Sequence, residues 1–227
     1  DFQFVSRLET DIILATEGRL DGEDIDPGNG GEEPGNGGEE PGNGGEDGDG
    51  ETAFPGGNFD NWDEFTGGIN QQFGLKPYAV SGVGAGIDGS NALHLNGTPT
   101  GNDYVFTTKV PANFPANPTK ITFWIKGTSA KSLSINVSRS TSGFEAFNLG
   151  DVATSAVTIN RNPETIASTG NGANQYIGVI NTNNQWVKVT LDISDMTIMS
   201  TEGSDYFSLK VGRDAAYDLY IDNFDIQ

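Results

Sequence analysis

The sequence predicts an all-β fold, an antiparallel β-sandwich of the jelly-roll kind, and three observations predict it. Short apolar/polar alternations recur through the last three quarters of the chain. Clusters of Gly, Asn, Pro, Ser and Asp separate them. No stretch of that region carries a sustained apolar period of 3.6 residues, the mark of an amphipathic helix.

Seven segments read as strands: 92–95, 104–108, 121–125, 133–137, 186–193, 207–211 and 219–226. Each is rich in β-branched and aromatic residues, which suit a pleated, half-buried surface. Alternation assigns their faces. Val187, Val189, Leu191 and Ile193 point to the core, and Lys188, Thr190 and Asp192 point away. In the same way Ile121, Phe123 and Ile125 oppose Thr122, Trp124 and Lys126. Trp124 is therefore expected outside the core. His94, between Leu93 and Leu95, is expected on the outer face of its strand.

The chain of 227 residues divides into three segments. Residues 1–20 are expected to be the C-terminal remnant of an upstream domain, since twenty residues cannot build a core alone. Residues 21–52 form an acidic Gly/Pro-rich linker. Pro27-Gly28-Asn29-Gly30-Gly31-Glu32-Glu33 repeats as 34–40 and again as 41–47, where Asp47 replaces the last Glu. Nothing there offsets the entropy of ordering, and like charges extend the chain. Residues 53–227 are the sandwich module.

Charge follows the same division. Residues 1–52 hold 16 of the 32 acidic residues and 2 of the 12 basic ones, a net of −14; the module has a net of −6. That balance disfavours nucleic acid, whose phosphates are neutralised by Lys and Arg. No apolar run of about 18 residues is present to span a membrane. There is no cysteine and one histidine, His94, so disulfides, thiolate zinc sites and a Ser-His-Asp triad find little material. We expect no catalytic residues and no enzyme.

Several motifs resolve to ordinary roles. Gly84-Ala85-Gly86-Ile87-Asp88-Gly89 matches G-x-G-x-x-G, but a strand follows where a dinucleotide site needs a helix. A tight loop is the expectation. The acidic linker does not match the EF-hand pattern from Asp21 or Asp24. Asn96-Gly97-Thr98 and Asn136-Val137-Ser138 match the glycosylation sequon by chance.

Two sets of residues remain as candidate sites. Flat aromatic rings match the C–H faces of sugars, so Trp62, Tyr78, Trp124 and Tyr176, with Lys126 as a hydrogen-bond donor, are candidates for carbohydrate contact. Asp60 and Asp222 meet if the first and last strands are neighbours, and carboxylates of that kind suit a structural calcium.

Four motifs carry a family resemblance. They are Phe54-Pro55-Gly56-Gly57-Asn58-Phe59-Asp60-Asn61-Trp62, Ile121-Thr122-Phe123-Trp124-Ile125-Lys126-Gly127, Gln185-Trp186-Val187-Lys188-Val189 and Leu219-Tyr220-Ile221-Asp222-Asn223-Phe224. In order and spacing they resemble the strands of carbohydrate-binding modules with a galactose-binding-like jelly roll, the first motif matching the opening strand. More narrowly, the module looks like C-terminal domains of surface lipoproteins and secreted enzymes of Gram-negative polysaccharide degraders. Residues 2–12 look like the end of an OB-like domain that precedes such modules. The resemblance implies a monomeric, extracellular or outer-surface module that binds polysaccharide or oligosaccharide. It also implies a calcium joining Asp60 to Asp222. The alternative is a structural spacer or adhesion module, since fold does not fix function.

Overall fold

A computed structural model describes residues 51–159 and 174–227. The remnant reading, the linker reading as far as residue 50, and the EF-hand comparison lie outside the described residues; Glu51 and Thr52, read as the end of the linker, instead pair with Ile226 and Asp225 as a short edge strand.

Among the described residues twelve strands, one helix and one 3-10 turn follow in order: β1 (Glu51–Thr52), α1 (Trp62–Gly68), β2 (Ala79–Gly82), the turn (Ile87–Gly89), β3 (Ala92–Gly97), β4 (Asp103–Lys109), β5 (Lys120–Ser129), β6 (Leu133–Ser138), β7 (Phe144–Leu149), β8 (Val157–Ile159), β9 (Ile180–Asn181), β10 (Val187–Asp192), β11 (Asp205–Val211) and β12 (Tyr217–Ile226). All seven strands expected from alternation are present. Among the described residues no helix is long and apolar enough to cross a membrane.

The strands form two sheets. The larger runs β2-β3-β12-β5-β10-β8, with β1 also on β12 and β9 also on β5. The smaller runs β4-β11-β6-β7. Among the described residues every ladder is antiparallel except β8 on β10. The sheets pack face to face and place the core between them. Ile121, Phe123, Ile125, Val187, Val189, Leu191, Leu219 and Ile221 fill it from one side. Phe106, Phe207, Leu209, Ile135, Val137, Phe147 and Leu149 fill it from the other.

Phenylalanines knit the centre. The Phe224 ring lies 4.5 Å from Phe123, 5.1 Å from Phe54 and 5.3 Å from Phe207. Phe54 belongs to the motif that resembles an opening strand, but that stretch is not a strand. Its backbone turns through residues 54–61 and enters α1, where the Asn61 side chain accepts a hydrogen bond from the Glu64 N–H at 3.2 Å. Packing explains the difference, because Phe54, Phe59 and Phe65 are all buried and only a folded-over segment delivers all three.

The G-x-G-x-x-G segment is the loop that was expected. Gly84 has φ 67° and Gly89 φ 84°, values that glycine adopts without steric cost.

Candidate functional site

Alternation sends every second residue of the larger sheet outward, and the register sets those residues side by side. Trp124 of β5 lies opposite Asp222 of β12 and Lys188 of β10. One step along, Lys126 lies opposite Tyr220, and Tyr220 opposite His94 of β3. Trp186 immediately precedes β10 and stands beside Lys126. The outcome is a ladder of four rings and two ammonium groups across four strands, three spacings of about 4.8 Å, or roughly 14 Å.

The contacts along the ladder are specific. The Lys126 ammonium lies 4.6 Å from the Trp186 ring centroid and 5.2 Å from that of Tyr220. Lys188 lies 5.7 Å from the Trp124 ring. Tyr220 and His94 stack at 4.1 Å with 7° between their planes, and His94 Nε2 is 2.8 Å from Asp218 Oδ1. Each cation–π contact contributes about 0.5–1 kcal/mol at such half-exposed positions. All six side chains are half-buried, so each presents an edge or part of a face to solvent.

The outer face continues past the ladder into the row Asn96, Asp218 and Thr128. There a groove of about 410 Å³ is lined by Asn96, Gly97, Thr98, Thr128, Tyr217 and Asp218, among others. Its amide, hydroxyl and carboxylate groups give donors and acceptors next to the apolar rings.

At the opposite end of the face lies the acidic pair. Asp222 is fully buried beneath the 84–91 loop. Its Oδ2 accepts from the Ile87 N–H at 2.9 Å and from Ser90 Oγ at 3.0 Å, and its Oδ1 from the Asn223 N–H at 2.8 Å. Burial raises its pKa, these hydrogen bonds oppose the rise, and the charge of Asp60 adds to it. Asp60 Oδ1 accepts from the Asn91 N–H at 2.9 Å. Consecutive loop residues, Ser90 and Asn91, thus hold the two carboxylates. A bulge at Asn223, φ 49°, places Asp225 on the same outward face as Asp222, three residues earlier. Burial pushes Asp225 up to about 6; Lys188 opposes the shift and Asp222 adds to it.

The structure separates the five expected sugar contacts. Trp124 and Lys126 are on the ladder. Trp62 opens α1 and lies 5.2 Å from Phe65, packed against the core. Tyr78 lies against Gly97, and Tyr176 against Gly212. Both phenols are pushed above their ordinary range, first by burial and then by neighbours that include Tyr217 and Asp103. They form part of a tyrosine cluster apart from Trp124.

Three ladder members, Tyr220, His94 and Lys188, are not among the sugar contacts read from the sequence, and Trp186, a large aromatic at the start of its strand, reads there as a cap on the core edge. Alternation around Leu219 and Ile221 puts Tyr220 outward, and His94 was expected outside. Strand order, which no local pattern carries, makes them neighbours. Among the described residues no three His, Cys, Asp or Glu side chains are grouped to hold a metal ion. No family model matches the chain, and no curated protein matches it.

Proposed function

We propose that residues 53–227 are a non-catalytic module that binds polysaccharide outside the cell, as a monomer, with the outer face of the larger sheet as its binding surface. The observation that carries this reading is the ladder of Trp124, Trp186, Tyr220 and His94 on one half-exposed face, flanked by a groove whose lining includes Asn96, Thr128 and Asp218. Rings of this kind offer apolar area to sugar C–H faces. Lys126, Asn96, Thr128 and Asp218 supply hydrogen bonds to hydroxyl groups. A tether such as residues 21–52 would raise the local concentration of a joined partner at the polysaccharide without new contacts.

A calcium ion belongs to the same proposal. Asp60 and Asp222 would hold it, with backbone carbonyl oxygens of the 84–91 loop. The donors fit a hard cation in type, since all are oxygens. The electrostatics fit as well, because a buried carboxylate with a second carboxylate beside it gains from a cation. Its role would be structural, tying the segment after β1 to the last strand.

The test is tryptophan fluorescence titrated with a panel of soluble polysaccharides. A saturable change with one glycan class is expected. Trp124→Ala and Trp186→Ala should each weaken binding about tenfold, roughly 1.4 kcal/mol, while Trp62→Ala leaves it unchanged. No change with any glycan, together with no retention on insoluble polysaccharide, would falsify the reading. The spacer or adhesion role would then stand.

A further inference from the structure

The outer face of the larger sheet has a direction. Across the strands, each row of outward residues keeps one character. Val80 of β2 lies opposite His94, His94 opposite Tyr220, and Tyr220 opposite Lys126, which stands beside Trp186. Val80 is 45% exposed, so this row carries the ladder one strand further, to the edge of the sheet. Tyr220 reaches over β3 toward β2, where a Cβ on Gly82 would lie 3.2 Å from its Cε1. Four strand spacings of about 4.8 Å give the row a length of roughly 19 Å. The next row is polar throughout. Asn96, Asp218, Thr128 and Asn181, all exposed, face one another on β3, β12, β5 and β9. The groove of about 410 Å³ runs beside them.

Along the strands, the character changes at each step and the path closes. On β12, exposed Asp218 is followed by half-buried Tyr220 and then by Asp222, which is wholly buried beneath the 84–91 loop. On β5, Thr128 gives way to Lys126, then Trp124, then Thr122, which is buried. Across the strands, both ends of the ring row reach exposed residues. Val80 stands at one end, and Asn183, Asn184 and Gln185, just before Trp186, at the other.

We propose that this face takes a linear glycan laid across the strands, and that it grips an inner stretch of about four units, roughly one for each strand spacing, rather than a chain end. A linear polymer presents the same apolar side and the same hydroxyl edge at every unit. It therefore needs a surface that repeats in kind along its length. The ring row and the polar row do so across the strands, and the face does not do so along them. A chain-end site must close around the last unit. Here the row is exposed at both ends, so the chain runs on past Val80 and past Gln185. That the ligand is a glycan rests on the carbohydrate-binding reading above; its direction and the use of inner units rest on the two rows.

Calorimetry of the full chain with xylan, β-mannan and mixed-linkage β-glucan, each beside its own oligosaccharides of two to six units, tests the proposal. Affinity should rise at least tenfold from two units to four and change less than twofold from five to six. Reducing the terminal unit of the hexasaccharide to its alditol should change affinity less than twofold. Val80→Asp, at an edge position where charge is tolerated, should weaken the hexasaccharide at least threefold, because only a chain that crosses the strands meets it. A disaccharide that binds as tightly as the hexasaccharide overturns the proposal. So does loss of binding on reduction of the terminal unit, and so does a hexasaccharide affinity unmoved by Val80→Asp. Each of these leaves carbohydrate binding intact. Failure of all three polysaccharides and their oligosaccharides to bind removes the carbohydrate reading itself, and this inference with it.

Discussion

Asp225 shows how a single carboxylate couples the outer face to pH. Burial holds it at about 6 in the folded protein, against about 3.9 in an unfolded chain. The folded state therefore keeps the proton longer than the unfolded state does. Stability from this group is full below about pH 4 and is lost as pH rises through about 6. Asp222 shifts in the same direction, so it works in the same sense. We expect Asp225→Asn to be more stable than the parent at pH 7, with the difference closing below pH 4. Urea unfolding at both pH values measures it, and parallel profiles for the two proteins would contradict it. The sequence reveals Asp225 but not this behaviour. Strict alternation puts residues 222 and 225 on opposite faces, and the bulge at Asn223 reverses that.

At the scale of the element, the 84–91 loop is the part on which the acidic pair depends. Gly86 has an ordinary φ of −75°, so its requirement is space. A Cβ there would lie 2.4 Å from Ser90 Oγ and 2.5 Å from both Asn91 O and Asp222 Oδ2. Gly86→Ala should cost about 1–3 kcal/mol through overpacking, read from the urea midpoint. A neutral outcome would mean the loop does not close over Asp222. The spacing of the glycines suggested a loop, but only the fold shows which carboxylate it closes on. Other elements escaped sequence reading for local reasons. In β7 a glutamate, Glu145, takes an inward register opposite Val137 and is nearly buried, which masks the alternation of Phe147 and Leu149. In α1 the seven residues bury only Phe65, too few to show a helical period.

For the whole molecule, the calcium proposal makes a global prediction, because the ion would join the segment after β1 to β12. At a hundredfold excess over its Kd, an ion that binds only the folded state adds about 2.7 kcal/mol. For a module of this size that raises Tm by roughly 5–10 °C. Differential scanning with calcium and then with EDTA should show the shift, and Asp60→Asn should abolish it. Identical melting under both conditions would remove calcium from the account.

Period-two alternation and turn residues, both local, were enough to determine the β class, seven strands, the inward faces of β5 and β10, and the outward position of Trp124. They act through the geometry of each strand alone. Which strands become neighbours depends on burial of a shared core by residues far apart in the chain. Tertiary structure alone therefore decided that Trp186, Tyr220, His94 and Lys188 join Trp124 and Lys126. It also decided that Tyr78 and Tyr176 cluster elsewhere.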